Sequence, residues 1–160
     1  MGALAYFLTW TTYGTWLPGD ARGWGNRHRR HGEIIDGPSP VLEVKARSLM
    51  YEKSVVLNEQ LRACAETAMR EACSCRGWHI HALEIRSNHV HVVVSAPAHR
   101  PGQVMGTLKA YASRAMNTKN RVPRSWWTRQ GSKHLLHNER SLHAAIRYVE
   151  SQDISWMTYF

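Results

Sequence analysis

Residues 89–95, HVHVVVS, alternate so that Val90, Val92 and Val94 leave one side of an extended chain and His89 and His91 the other. Such a strand demands a sheet with one face under an apolar layer and a different environment on the opposite face. Its neighbour is close by. Residues 78–86, WHIHALEIR, have strand character, and only Ser87-Asn88 separates the two, which predicts a hairpin. Pairing across that turn sets Arg86 opposite His89 and Glu84 opposite His91. His79 and His81 are then expected on the face of Leu83 and Ile85, as packed or rim histidines away from the other pair. Glu84 falls on the side of His89 and His91, where a carboxylate can orient an imidazole. A slip of one residue would exchange the faces.

The rest of the chain supplies partners for that hairpin. Residues 5–12, AYFLTWTT, are aromatic and β-branched and predict a first strand. A Gly-, Pro- and Arg-rich stretch at about 14–38 has no hydrophobic period and reads as a long loop, carrying Arg22, Arg27, Arg29 and Arg30. From Asn58 to Arg76, Leu61, Cys64, Ala65, Ala68, Met69, Ala72 and Cys73 recur on one helical face, with Asn58 as cap and Gly77 as stop. A second helix is expected from about Gly102 to Met116, a short strand at 133–137, and a last helix from the cap Asn138 to about Gln152. The order strand, helix, strand, strand, helix, strand, helix is that of an α+β, ferredoxin-like split βαβ fold. Two helices cover one face of an antiparallel sheet, and a C-terminal helix closes the other or reaches a partner. The 160 residues predict one domain with one real core.

Composition narrows the partners. With 21 Lys and Arg against 12 Asp and Glu, the net charge of +9 suits a polyanion, and nucleic acid is the commonest. No apolar run is long enough for a membrane span, and the start lacks the pattern of a secretion signal, so a cytoplasmic protein is expected. Three cysteines, Cys64, Cys73 and Cys75, make neither a disulfide framework nor paired zinc spacing. Residues 119–133 carry Arg121, Arg124 and Arg129 with Trp126-Trp127 and no acid, a second basic stretch able to meet phosphates and bases.

Two imidazoles side by side on a strand form half of a metal site. In a chain with ten histidines the H-x-H spacing alone carries little. The last helix adds weight. Leu142, Ala145, Ile146 and Val149 form its buried stripe, and Tyr148 and Gln152 lie together one turn apart at the stripe's edge. A tyrosine there reaches a reacting group while its helix stays anchored. Tyr111, the rival nucleophile, falls within the apolar stripe of its own helix and reads as core.

NHVHVVV (88–94) resembles the His-hydrophobic-His motif of the HUH nucleases. With YVESQ (148–152) it resembles the single-tyrosine transposases of bacterial insertion sequences and the REP-associated tyrosine transposases, to which LKAYASRAMN (108–117), with Lys109, is also similar. The resemblance implies His89, His91 and Gln152 as ligands of Mg²⁺ or Mn²⁺ and Tyr148 as the nucleophile of single-stranded DNA cleavage and strand transfer. It also implies a 5′-phosphotyrosine link, DNA with hairpin ends as substrate, and a homodimer. The REP-associated branch more often has Asn-Pro where this chain has Gln152-Asp153, whereas the Arg-rich loop is foreign to the minimal insertion-sequence enzyme, so the branch stays open. Two other readings compete: a non-catalytic single-stranded nucleic-acid-binding domain, and a metal-dependent nuclease acting through water.

Overall fold

Four strands pair in the order β2-β3-β1-β4, every neighbour antiparallel. The computed structural model describes residues 2–15, 39–50 and 53–151. Along the chain run β1 (Ala5–Thr11), α1 (Pro40–Ser48), α2 (Glu59–Arg76), β2 (His79–Ile85), β3 (His89–Ser95), α3 (Pro101–Asn120), β4 (Ser132–Leu136) and α4 (Glu139–Ser151). This α+β arrangement is the expected one with a single addition, α1.

Local chemistry explains most boundaries. The side chain of Asn58 accepts from Leu61 N, and Gly77 ends α2 at φ 65°, a conformation that a Cβ would strain. Asn138 receives Ser141 N at 2.9 Å and starts α4. α3 runs a turn past the expected Met116, because its last residues are polar and carry no apolar stripe to betray them. α1 escapes hydrophobic reading for the same reason. It buries no residue and rests on the Ser39 cap, Pro40 in its first turn and a Glu43–Arg47 pair one turn apart.

The two sheet faces bury different things. Tyr6, Leu8 and Trp10 of β1 join Val90, Val92 and Val94 of β3 under α2 and α3, the larger core. On the opposite face Ala5, Phe7, Ala82, Val93 and Leu136 pack against Ala145 and Val149 of α4. The last helix therefore closes the second face of its own sheet, one of the two roles left open for it. Burying Val149 stabilises by about 1.5–3 kcal/mol, and the half-buried Leu142 and Ile146 add to it, which seats α4 on the sheet. The cysteines are free thiols. Cys73 is buried, and that burial pushes its thiol up to about 11, which leaves it inert. Among the described residues no helix is long and apolar enough to cross a membrane.

The hairpin register agrees with the expectation at its turn and departs from it further along. Glu84 stands opposite His91, and Arg86 N donates to His89 O at 2.8 Å. Between Ile80 and Ala82, however, a β-bulge places one extra residue in β2, with Ile80 opposite Val94 and Ala82 opposite Val93. Ile80, not His81, thus joins Leu83 and Ile85 beneath the helices. His79 pairs with Ser95, and His81 Nε2 reaches Ser95 Oγ at 2.7 Å. Both histidines consequently sit on the sheet side of His91, contrary to the alternation argument. Position along the strand keeps the pairs apart, since Ser95 lies four residues, roughly 13 Å, beyond His91.

Candidate metal and nucleophile site

His89 and His91 leave the α4 face of β3 with ring centroids 4.7 Å apart. His91 is only 6% exposed, and His89 is half-buried. Neighbours hold each ring by Nδ1. His91 Nδ1 shares a 2.8 Å hydrogen bond with Thr9 Oγ1, and His89 Nδ1 lies 2.7 Å from Asn88 Oδ1. An amide oxygen only accepts, so His89 Nδ1 carries the proton and its Nε2 keeps a lone pair. Burial, then the His89 and Arg86 charges, pull His91 down to about 4. Burial and Arg86 also lower His89, while Glu84 opposes them. Both rings are therefore neutral near pH 7, the form that ligates metals.

Glu84 sits across from His91 and pairs with Arg86 at 2.8 Å, acting on His89 through its charge. The side chains that grip the rings are Thr9 and Asn88, which sequence reading did not single out. Only the β1–β3 register, with Thr9 opposite His91, reveals the first of them.

Tyr148 arrives from α4. Ala144, Ala145 and Val149 are buried and anchor the helix, while Leu142 and Ile146 are half-buried beside them. The Tyr148 ring stands edge-on to His91 at 5.3 Å and to Phe7 at 5.8 Å, and Phe7 in turn meets His91 at 5.8 Å. Phe7 is the shared floor of the nucleophile candidate and the ligand candidate. Its β-strand alternation was legible, but its place under both rings was not.

Tyr111 lies elsewhere. It packs half-buried on the α2–α3 side, its hydroxyl accepts from Arg76 Nη1 at 2.9 Å, and Arg114 lies over its ring at 4.7 Å. The sheet separates it from the histidines, and it is a surface-edge residue more than the core residue expected.

Two neutral imidazoles engaged through Nδ1, with Nε2 left to ligate, fit a divalent ion whose remaining positions are filled by oxygen donors. Among the described residues no third His, Cys, Asp or Glu joins them. Gln152, the expected third ligand, lies outside the described residues, as do Arg22, Arg27, Arg29, Arg30 and Trp24.

The basic stretch after α3 is largely engaged in its own architecture. Lys109 Nζ donates to Thr128 O at 2.8 Å and Gln130 O at 3.1 Å, and burial, helped by Lys133, draws its amine down to about 8. Arg124 donates to Lys53 O and covers Trp126. Trp126 is buried with Nε1 on Asn117 Oδ1, and Trp127 stands edge-on to Trp10 at 6.0 Å, so both tryptophans are packed rather than presented to bases. Arg121 and Arg129 are exposed.

Known proteins resemble this arrangement. No curated protein matches the sequence. Among solved structures, a transposase-assigned protein of Deinococcus radiodurans R1 superposes with a TM-score of 0.53 at 18% identity, over 95% of this chain and 92% of the other. A REP-associated tyrosine transposase bound to a REP hairpin superposes with a TM-score of 0.54 at 12% identity, over 98% of this chain and 71% of the other. Likeness at such identities speaks for the fold. The family model described as "Transposase IS200 like" matches residues 45–152, a span that holds both histidines, Tyr148 and Gln152. The chain belongs to the IS200-like transposase family.

Proposed function

We propose that this transposase cuts and rejoins single-stranded DNA through Tyr148, at a phosphate held beside His89 and His91. The observation that carries the reading is the contact between the Tyr148 ring and His91, 5.3 Å between centroids, on a helix seated against its own sheet. A phenol is a weak nucleophile until its proton leaves. The phenolic oxygen attacks the phosphorus, the bond to the 3′ oxygen breaks, and a 5′-phosphotyrosine and a free 3′-hydroxyl result. Reversal by the 3′-hydroxyl of another strand reforms the phosphodiester and releases the phenol. One P–O bond replaces another at each step, so no nucleotide cofactor is required.

Thr9 and Asn88 fix the imidazoles so that Nε2 of each faces the phosphate site, and Phe7 keeps Tyr148 from swinging away. With Gln152, the imidazoles would hold Mg²⁺ or Mn²⁺, which would supply charge neutralisation at the phosphate. Imidazole donors favour Mn²⁺ over Mg²⁺. DNA with hairpin ends is the proposed substrate, in keeping with the hairpin-bound structural neighbour, and a homodimer is the proposed assembly.

Tyr148→Phe is the deciding variant. It keeps the ring and its packing and removes only the hydroxyl. Incubated with labelled single-stranded DNA from the gene's own flank and Mn²⁺, the unaltered protein is expected to give a covalent adduct on a denaturing gel, and Tyr148→Phe neither adduct nor nick. Nicking that survives in Tyr148→Phe would hand the role to water and make the protein a hydrolase. DNA binding without nicking by the unaltered protein would make it a binding domain.

A further inference from the structure

The α4 face of the sheet changes character abruptly beside His91. Under the helix, the cross-strand row through Ala82, Val93 and Phe7 is apolar and meets an imidazole only at its β4 end, His134. The next row runs Glu84, His91, Thr9, Ser132, and every member is polar. In the row after that, His89 stands opposite Thr11, and Thr128 N donates to Thr11 O. Thr128 Oγ1 lies 3.3 Å from Thr11 Oγ1, so both hydroxyls share the face of His89; Thr128 gives its proton to Thr11 O at 3.1 Å and can only accept from Thr11 Oγ1. Thr9, Thr11 and Thr128 are half-buried, and Ser132 is exposed.

These rows are lopsided about the histidines. Toward β2 the first side chain met is the Glu84 carboxylate, ion-paired with Arg86. Toward β4 come four hydroxyls and no acid, and the segment joining Thr128 to Ser132 carries the exposed Arg129. Strands about 5 Å apart set Thr9 and Thr11 one strand beyond the histidines and Ser132 roughly 10 Å beyond them. One internucleotide step from the histidines therefore falls between Thr11 and Ser132, within hydrogen-bond reach of both side chains. Ser and Thr hydroxyls are ordinary phosphate donors and read no sequence.

We propose that Thr11, oriented by Thr128, and Ser132 hold the phosphate next to the scissile one, so that the DNA leaves His91 across β1 toward β4. The proposal rests on the reading of His89 and His91 as the scissile-phosphate site, and it adds the direction of the strand. Lys109, clamped on Thr128 O and Gln130 O, positions this segment. Gly131 allows its close approach, since a Cβ there would come within 2.7 Å of Thr9 O and the Met105 side chain.

Ethylation interference tests the path without needing cleavage. Single-stranded DNA from the gene's flank, ethylated at random single phosphates, is bound by protein carrying Tyr148→Phe, which keeps covalent chemistry out. Thr11→Val and Thr128→Val are made together, so that neither hydroxyl is orphaned by loss of the other. The pair is expected to bind roughly tenfold more weakly, the scale of one hydrogen bond to a charged group. One phosphate should also vanish from the interference pattern, next to the phosphate lost on His91→Ala. Ser132→Ala, an exposed and structurally mild change, should weaken interference at that same phosphate, so a folding defect in the double variant leaves the test standing. An interference pattern unchanged in both variants, or a loss at a phosphate not adjacent to that of His91, overturns the proposal. Failure of the tyrosine chemistry would appear in the adduct assay alone and leave this pattern intact.

Discussion

The chain carries two His-x-His pairs on one sheet face, and they differ in everything but spacing. Rings of His89 and His91 lie 4.7 Å apart, and those of His79 and His81 lie 4.6 Å apart. The first pair is on an interior strand, and its buried ring, His91, lies against Phe7 and Tyr148 and is held by Thr9. The second is on the edge strand across a bulge, and its half-buried ring is tied to Ser95. Ser95 gives its only proton to Leu4 O at 2.7 Å, so His81 Nε2 must donate to it. That bond belongs to a structural chain linking β2 and β3 to the start of β1. Imidazole spacing therefore does not make a site. Depth, an oriented lone pair and an adjacent tyrosine are what set the first pair apart.

The strongest way to break this comparison is to remove the rings. His89→Ala or His91→Ala is expected to eliminate Mn²⁺-dependent nicking, whereas His79→Ala with His81→Ala should stay within about twofold of the unaltered protein, as surface changes do. Equal losses from both pairs would show that the edge pair also serves the reaction. Next in size is the grip on His91. Thr9→Val retains shape but removes the hydroxyl, and should weaken Mn²⁺ affinity by about 10–100-fold, the usual penalty for losing a group that orients a ligand. Calorimetric titration with Mn²⁺ measures it, and an unchanged affinity would reduce Thr9 to a packing residue.

Acid offers a gentler contrast. His91 is held down to about 4, against an ordinary value of 6.5, chiefly by burial. Between those values the unfolded chain binds the proton that the folded chain refuses. Stability of the metal-free protein should thus be complete above about pH 6.5 and decline as the pH falls toward 4. Urea midpoints across that range should flatten in His91→Gln, which has no such proton to take up. The same slope in His91→Gln would assign the decline to other groups.

Much of this was open to sequence reading, for reasons that individual residues make plain. Alternation over 89–95 sorted His89 and His91 from Val90, Val92 and Val94, and the 142–149 stripe set Tyr148 at its edge. Asn58 and Gly77 marked their helix because caps act within one turn. What stayed hidden depends on long-range pairing. The bulge at Ile80–Ala82 moves the apolar phase of WHIHALEIR from Trp78 and Ile80 to Leu83 and Ile85, but a break over two residues does not say whether the strand bulges there or carries a histidine inward. Thr9 and Phe7 are ordinary strand residues until β1 lies beside β3. The stripe of α4 said that the helix is packed, without saying on which face. α1 buries nothing, so only the local signals Ser39, Pro40 and Glu43 could announce it.

The seating of α4 against its own sheet also determines how activity should scale. Tyr148 and His91 meet within one chain, so the proposed nucleophile reaches the proposed ligand pair without a loan from a second copy. Nicking per chain should then stay constant as the protein is diluted, even through the point where a dimer comes apart. Mixing inactive Tyr148→Phe with inactive His91→Ala should restore nothing, because no combination of the two chains assembles an intact set. Recovered nicking in the mixture would mean that the helix changes hosts, exchanging its seat on Phe7 and Val93 for the same seat on a neighbour.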